Sequence, residues 1–311
     1  RCTHTTSKNQ RTPVKIRKYG AIDIGSNAIR LLVHNIVETP GRPVQFFKNA
    51  LVRVPVRLGE DSFGIGAIAE ANVDRIIKTL EAFLLLIEVG GVEKYRACAT
   101  SALREANNGA EIIQRILKET GLEVELIDGQ QEAAIIAGTD LARLLQEDAS
   151  YLYVDVGGGS TEFTVFSGGK PVLSRSFQIG TVRLIKQWVA ESEWEALEQW
   201  VREAVKGLPK LSIIGSGGNI NKLHKMSGRR VGQPLSFIWL NAQHHFLQSM
   251  SYDERISELG LNPDRADVIL PATEIFLRTA KWSGVKKVHV PQIGLADGII
   301  RDLYYRELNG G

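Results

Sequence analysis

The feature that most constrains the fold is a short pattern that occurs twice in the chain. The second copy, residues 153–165, is an apolar run that reaches Asp155, breaks into Gly157-Gly158-Gly159 and then resumes. The first copy, residues 21–33, aligns with it without a gap and places Asp23 132 positions before Asp155. Each copy predicts a buried strand, a turn and a second strand. Unless so short a pattern recurs by chance, the two copies indicate a duplicated domain whose turns face each other across a cleft.

The composition of the second turn favours a phosphate site. Three consecutive glycines let backbone N–H groups converge on an anion, because no Cβ keeps the anion away. Asp155 and Glu162 flank these glycines and would repel a bare phosphate, so we expect a divalent cation between them and the ligand. An ordinary glycine-rich hairpin with two solvated acids is the alternative that this segment alone leaves open.

Other candidate phosphate ligands follow predicted strands. In open α/β sheets, ligands bind beyond the carboxyl ends of strands, so Arg104, after a short buried strand at 95–99, is placed to meet a phosphate. A solvated arginine at the start of a helix is the alternative. Gly217 and Gly218 lie in a glycine-rich turn between a strand and a helix, which suits either a phosphate or nucleotide loop or simple close packing. Arg183, at the start of a later helix, is a candidate from the other wall of the cleft.

Length and composition exclude several classes of protein. The 311 residues allow two domains of ordinary size, and a hydrophobic content of 43% is enough for two cores. The longest apolar run, residues 83–87, is far shorter than the ~20 residues of a membrane-spanning helix, so no membrane partner is expected. A net charge of +3 gives no broad basic face for a nucleic acid. Cys2 and Cys98 provide neither a disulfide framework nor a zinc site, and we predict a cytoplasmic protein.

Six short segments occur in an informative order along the chain. They are Asp23-Ile24-Gly25-Ser26-Asn27, Thr100-Ser101-Ala102-Leu103-Arg104-Glu105-Ala106, Gly129-Gln130-Gln131-Glu132-Ala133, Asp155-Val156-Gly157-Gly158-Gly159-Ser160-Thr161-Glu162, Gly180-Thr181-Val182-Arg183 and Arg265-Ala266-Asp267-Val268-Ile269. Any one of them would be a weak signal. Together and in this order, they resemble the exopolyphosphatase and guanosine pentaphosphate phosphatase (Ppx/GppA) family in its short, two-domain form. The resemblance implies an α/β fold of two duplicated ribonuclease-H-like domains flanking a cleft, as in the actin, sugar kinase and chaperone ATPase superfamily.

Domain boundaries follow from this expectation. Residues 1–18 are polar and basic without an apolar period, and we expect a flexible N-terminal tail there. Residues 19–138 are expected to form the first ribonuclease-H-like domain and residues 139–311 the second. A helix predicted over 295–308 is a candidate to pack on the first domain. A helix predicted from Gly129 through Leu145 joins the two halves.

The resemblance also implies roles for individual residues. Glu132, in the first turn of the joining helix, corresponds to the general base that takes a proton from the attacking water, and Arg104 is the second catalytic residue. A glutamate that only complements the helix dipole is the alternative for Glu132. Gln131 stands where the family usually has another acid, which argues against a base made of paired carboxylates. The expected phosphate ligands are Gly25, Ser26, Asn27, Gly157, Gly158, Gly159, Ser160, Arg183, Gly217 and Gly218, and the expected ligands of a Mg²⁺ cofactor are Asp23, Asp155 and Glu162.

The expected activity is removal of the terminal phosphate from inorganic polyphosphate by base-activated water and Mg²⁺. Cleavage of guanosine pentaphosphate (pppGpp) is the first alternative, and an ATP-dependent phosphotransferase or an actin-like, nucleotide-switched protein are further ones. Longer relatives carry a helical extension that this sequence lacks, and Ala296 stands where relatives place an arginine. Because a long polyanion needs a basic track beyond the cleft, we expect short polyphosphates to be preferred and chains to be released between cleavages. A homodimer is left open.

Overall fold

The computed structural model describes residues 14–139, 141, 146 and 148–310, which form two lobes, each built on one β-sheet. The described elements of lobe I are β1 (Lys15–Ile24), β2 (Ile29–Glu38), β3 (Gln45–Val54), α1 (Leu58–Ile65), α2 (Glu70–Val89), β4 (Lys94–Ala99), α3 (Ser101–Glu105), α4 (Gly109–Thr120) and β5 (Val124–Leu126). Those of lobe II are β6 (Ser150–Val156), β7 (Thr161–Ser167), β8 (Lys170–Phe177), α6 (Thr181–Ile185), α7 (Glu191–Ala204), β9 (Ser212–Ser216), α8 (Gly218–Met226), β10 (Leu235–Ser236), α9 (Phe237–Ser249), α10 (Tyr252–Ser257), α11 (Pro263–Ala266), α12 (Ile269–Ser283) and β11 (Lys287–His289). Two further helices are α5 (Gly129–Ala137), which contacts both lobes, and α13 (Leu295–Leu308), which packs on the lobe I sheet and on α5.

The two sheets repeat one topology. Lobe I has the strand order β3-β2-β1-β4-β5, with β1, β2 and β3 antiparallel and β4 and β5 running parallel to β1. Lobe II has the order β10-β11-β9-β6-β7-β8, in which β6, β7 and β8 are antiparallel and β9 and β11 run parallel to β6. Each sheet therefore has three antiparallel strands followed by two parallel ones, and lobe II adds β10 as a short edge strand antiparallel to β11. The predicted duplicated α/β fold is confirmed.

Each sheet has an apolar core on both faces, because its central strands are buried and mostly β-branched or aromatic. In lobe I, Ile22 and Leu31 face α2 and α4, while Tyr19 and Leu32 face α13. The largest core of lobe II lies between its sheet and α7, α9 and α12. This arrangement leaves the carboxyl ends of β1 and β6 pointing into the space between the lobes, where polar side chains collect.

Helix α5 belongs to both lobes. Asp128 caps it, since the Asp128 side chain accepts the Gln131 N–H and the Gln131 side chain accepts the Asp128 N–H. Ile135 packs with α13 in the core over the lobe I sheet, and the adjacent Ile136 packs with Tyr153 in a core of lobe II. Glu132, one turn before these residues, is thus carried on a helix that both lobes hold.

Two local features differ from the sequence expectation, and a third expectation falls largely outside the described residues. Strand β1 begins at Lys15, so the predicted tail over 1–18 extends too far; residues 1–13 lie outside the described residues. The basic residues pair instead with acids of other elements, as Arg17 does with Glu93 and Glu307. Helix α1 was not predicted, because its eight residues show little amphipathic pattern. The predicted extension of α5 to Leu145 falls largely outside the described residues.

None of the described helices has the length and apolar character that crossing a lipid bilayer requires.

The contact between α13 and α5 generates the first prediction. A Cβ at Gly298 would lie 2.7 Å from both Cγ2 and the carbonyl oxygen of Ile135. Gly298→Ala should therefore lower the free energy of unfolding by about 1–3 kcal/mol through overpacking, although glycine to alanine inside a helix ordinarily stabilises. Chemical denaturation measures the change. Leu308→Ala, at an exposed position of the same helix, is the control and should change stability by less than about 0.5 kcal/mol; a more stable Gly298→Ala variant would contradict the packing.

Candidate active site

Two turns meet in the cleft between the lobes. Loop I (Gly25–Ala28) follows β1, and loop II (Gly157–Ser160) follows β6. The Gly25 N–H donates to Ala28 O at 3.1 Å and the Gly157 N–H to Ser160 O at 2.9 Å, so the same hydrogen bond closes both turns. The turns also touch, since a Cβ at Gly158 would lie 2.9 Å from Cβ of Ser26. Glycine at 158 is what allows the two loops to approach this closely.

The cleft brings together most of the predicted site residues. The predicted residues in its lining are Asp23, Gly25, Ser26, Asn27, Glu132, Asp155, Gly157, Gly158, Ser160, Glu162, Gly217 and Gly218. Three other predicted residues, Arg104, Gly159 and Arg183, do not belong to this lining.

Arg104 lies behind the acidic side of the cleft. Its Nη1 donates to the carbonyl oxygen of Ile127 at 2.7 Å, which ties α3 to the segment that follows β5. Its positive charge also lowers the pKa of Glu132 and of Glu162, although burial raises both pKa values more strongly. Arg104 therefore acts on the cleft through its charge.

Arg183 is not placed to bind a ligand in the cleft, which corrects the sequence prediction. Its Nε donates to the carbonyl oxygen of Gly159 at 2.8 Å, and its Nη2 pairs with Glu105. The guanidinium also stacks on the Phe63 ring, 4.1 Å from the ring centroid. Gly159 packs directly against the same ring, because a Cβ at Gly159 would lie 2.1 Å from Cζ of Phe63.

Three arginines line the cleft, and none of them was among the predicted site residues: Arg30, Arg53 and Arg265. The Nη1 of Arg30 donates to Asp23 Oδ2 at 3.1 Å, Arg53 pairs with Asp264 across the lobes, and the Nη1 of Arg265 donates to Gly218 O at 2.7 Å. Burial and neighbouring arginine charges lower the pKa of Arg265, because it lies close to Arg53 and Arg30. Arg53 could have been found from the strand pattern, since it lies directly opposite Arg30 on β3.

Four carboxylates also lie in the cleft lining: Asp23, Glu132, Asp155 and Glu162. Burial raises the pKa of Asp155 to about 6, with the charge of Asp23 adding to the effect and that of Arg30 opposing it. Burial raises the pKa of Glu162 to about 7, although Ser160 Oγ and Ser176 Oγ donate to Glu162 Oε1 at 2.5 and 3.1 Å. The pKa of Glu132 is raised well above its usual value by burial and then by the charges of the other acids. Like charges held this close favour a bound proton or cation.

The predicted metal triad is not formed. Among the residues that the structure describes, no three His, Cys, Asp or Glu side chains are arranged to hold one metal ion. Asp23 pairs with Arg30 and Glu162 accepts from two serine hydroxyls, and both acids are buried, whereas Asp155 is half-buried and is the most accessible of the three. Mg²⁺ is commonly bound through one or two carboxylates together with water and substrate phosphate. A site with Asp155 as its protein ligand therefore fits Mg²⁺, with fewer protein ligands than predicted.

Basic residues continue beyond the cleft, contrary to the expectation that the chain offers only a cleft. A neighbouring cavity shares Arg265 with the cleft and is also lined by Lys222, Lys225 and Arg229. Lys222 and Lys225 lie on α8, the helix that starts at Gly218. The cavity therefore offers a second group of cations adjacent to the glycine turn at 217–218.

Comparisons with known proteins agree on one family. A sequence model of the Ppx/GppA phosphatase family matches residues 50–307. Exopolyphosphatase 1 of Mycobacterium tuberculosis is 25% identical over 91% of this chain and 87% of its own length, and a putative exopolyphosphatase of Haemophilus influenzae is 26% identical over 94% and 93%. The crystal structure of an exopolyphosphatase from Cytophaga hutchinsonii superposes with a TM-score of 0.80 at 26% identity, covering 94% of this chain and 98% of that one. The Aquifex aeolicus member of the Ppx/GppA family superposes with a TM-score of 0.74 at 26% identity, over 94% and 99%.

The raised pKa of Asp155 predicts a dependence of stability on pH. Since its pKa is about 6 in the folded protein and ~3.9 in an unfolded chain, this group favours folding fully below pH ~4 and loses that contribution as the pH rises through ~6. Asp155→Asn should therefore stabilise the protein by about 1–3 kcal/mol at pH 8 in the presence of a chelator. Thermal melting of both proteins from pH 4.5 to 8.5 measures the effect. If Asp155→Asn were no more stable at pH 8, or if its added stability did not decrease below pH 6, the raised pKa of Asp155 would not be the cause.

Proposed function

Because the chain belongs to the Ppx/GppA phosphatase family, we propose that it is an exopolyphosphatase that hydrolyses the terminal phosphate of inorganic polyphosphate. The observation that carries the proposal is the pairing of loop I and loop II, two turns closed by the same hydrogen bond that meet in one cleft. Backbone N–H groups in such turns bind phosphoryl oxygens and stabilise the charge that develops on them. A terminal phosphate between the loops would contact both lobes.

Glu132 is the general base in this proposal. It lies in the cleft lining close to the other acids, and burial and the charges of those acids raise its pKa, which makes it a stronger base towards water. Glu132 must be deprotonated to accept a proton from water, so activity should rise with pH as Glu132 loses its own proton. Its place on α5 fixes the base relative to loop II, since Gly129 of the same helix packs on Ser176 of β8.

Asp155, at the carboxyl end of β6, would hold Mg²⁺ on the edge of the cleft. When bound, Mg²⁺ would offset the negative charge of the phosphoryl oxygens as the bond to the leaving phosphate breaks. Asp23 is held by Arg30 and keeps that arginine in the cleft. Glu162 accepts hydrogen bonds from Ser160 and Ser176. Because Ser160 belongs to loop II, this contact fixes the end of that loop.

The arginines bind the rest of the polyanion. Arg30 and Arg53 reach the cleft from neighbouring strands of lobe I, and Arg265 reaches it from lobe II. Guanidinium groups can donate two parallel hydrogen bonds to a phosphate, which fixes the orientation of the chain and the distance of its terminal group from Glu132. The phosphates after the first two or three would then lie towards Lys222 and Lys225.

The cavity lined by Lys222, Lys225 and Arg229 favours a second candidate function, removal of the 5′-terminal phosphate of guanosine pentaphosphate. A nucleotide whose terminal phosphate lies between the loops would extend past Gly218 into a cavity that carries Lys222, Lys225 and Arg229. These cations suit either further phosphates or the phosphorylated ribose of the nucleotide. Both candidates share the reacting groups and differ only in what occupies this cavity.

The role of Glu132 is tested by Glu132→Gln, which keeps the size of the side chain and removes the base. The rate constant should fall by about 10²–10⁴, while substrate affinity stays similar. Phosphate release and calorimetric binding of a polyphosphate measure the two quantities. Gln130→Ala, at an exposed position of the same helix, is the control; a Glu132→Gln variant that retained more than half the activity would exclude this mechanism.

The proposed activity is tested by phosphate release from a panel of substrates with Mg²⁺. Pyrophosphate, tripolyphosphate, longer polyphosphates, guanosine pentaphosphate and ATP are compared at equal concentrations of terminal phosphate, with Glu132→Gln as the background. We expect polyphosphates to be cleaved fastest, and Lys222→Ala/Lys225→Ala to raise KM more for the longer chains than for tripolyphosphate, because only the longer chains reach those lysines. Faster cleavage of guanosine pentaphosphate would favour the second candidate. Transfer of phosphate to an acceptor, or no release from any of these compounds, would rule out both.

A further inference from the structure

Loop II is tied to lobe I by contacts outside the cleft. Arg183 extends from α6 of lobe II, stacks on Phe63 of α1 and pairs with Glu105 of α3. The same guanidinium donates through Nε to the carbonyl oxygen of Gly159 in loop II at 2.8 Å. Arg183 is 9% exposed, so these contacts are formed largely away from water. One buried side chain therefore links loop II to two helices of the opposite lobe.

Helix α1 contacts both loops. At its start, the Gly59 N–H donates to Ser26 O at 2.8 Å and the Arg57 N–H donates to Asn27 O at 3.0 Å. Nearer its end, the Phe63 ring covers Gly159 so closely that any side chain at 159 would overlap it. The helix thus spans from loop I to loop II, and the distance between the loops depends on how Phe63 and Arg183 pack.

The hydrogen bond to Gly159 also sets the direction of a donor in loop II. The peptide between Gly159 and Ser160 is trans, as are all the described peptides. In a planar trans peptide the C=O and N–H bonds point in opposite directions. Because Arg183 holds the Gly159 carbonyl on the side of α1 and α3, the Ser160 N–H points the other way, and Ser160 lies in the cleft lining.

We propose that Arg183 is a positioning residue that, with Phe63 and Glu105, holds loop II against lobe I and orients the Ser160 N–H towards the phosphoryl group. The inference rests on the proposed function for the identity of that group. Arg183 acts through Gly159 and has no contact with the cleft itself. Its effect should be largest on the step in which charge develops on the phosphoryl oxygens, because misaligned donors stabilise a transition state poorly.

Arg183→Lys separates this role from simple charge. Lysine keeps the positive charge for Glu105, but a single ammonium cannot bond Gly159 O, pair with Glu105 and stack on Phe63 at the same time. We expect kcat to fall about tenfold or more, as for the loss of one hydrogen bond from a charged donor, with KM changed by less than about threefold. Glu105→Gln keeps an acceptor for Arg183 and should retain kcat within about threefold.

Arg278→Lys is the matched control. Arg278 stacks on Trp194 at 4.2 Å and pairs with Glu274 on the same helix, so it repeats the ring contact and the ion pair within lobe II at a more exposed position. Its kcat and KM should equal those of the unmodified protein. Phe63→Leu is a second variant that keeps an apolar side chain at 63 and should lower kcat in the same direction as Arg183→Lys.

Amide hydrogen exchange gives a readout that does not depend on turnover. Peptides covering 157–163 should exchange faster in Arg183→Lys than in Arg278→Lys, while the peptides of α2, whose buried residues pack in the lobe I core, remain unchanged. Equal exchange in the two variants, or a kcat of Arg183→Lys within twofold of Arg278→Lys, would overturn the proposal. If the unmodified protein released no phosphate from any substrate, the proposed function would fail, whereas the exchange comparison would still decide whether Arg183 holds loop II.

Discussion

The burial of four carboxylates in one cleft is the constraint on which the rest of the site depends. Asp23, Glu132, Asp155 and Glu162 all have raised pKa values chiefly because burial removes water, and for the last three the charges of other acids raise the pKa further. A fold that gathers these groups loses stability at neutral pH, and such losses are typical of sites that act on a ligand. The surrounding structure offsets part of the cost with Arg30 and with the hydroxyls of Ser160 and Ser176. The negative charge that these groups do not offset favours a bound cation. A cation would also be needed for a negatively charged phosphate to bind beside these acids.

The two copies of the duplicated unit differ in charge at equivalent positions beside their loops. In the register of β1 and β2, Asp23 lies opposite Arg30, and in the register of β6 and β7, Asp155 lies opposite Glu162. The two pairs occupy the same positions of the same topology, yet one is an ion pair and the other is a pair of acids. Lobe I therefore presents a neutralised turn with an arginine, and lobe II presents a turn with excess negative charge. The cation and the reacting water are expected on the side of lobe II.

The sequence predicted the repeated elements well, because both loops have local signals. Apolar strands that end at Asp23 and Asp155 and glycines that allow close approach are readable without three-dimensional information. The contacts that cross between lobes were not readable. Arg183 was assigned to the phosphate because its position after a turn suits that role, and only packing shows that Phe63 and Glu105 occupy its guanidinium. Helix α1 was missed for a related reason, since a short helix held by contacts with two loops needs no amphipathic pattern of its own.

The predicted ligand set of the metal is affected by a different physical factor. Sequence spacing places three acids near one another but does not say which of them is buried with a partner. Asp23 with Arg30 and Glu162 with two serines are buried, whereas Asp155 is half-buried.

The placement of Glu132 links the two lobes to the chemistry. Glu132 sits on α5, whose start packs on β8 and whose end contributes Ile135 to the lobe I core and Ile136 to a lobe II core. The base is held near loop II because β8 pairs with β7, the strand that follows loop II. Loop I, Arg30 and Arg53 belong to lobe I, whose core includes Ile135 of the same helix. Under the proposed function, the base and the phosphate donors of both lobes are therefore positioned by one helix that both lobes hold.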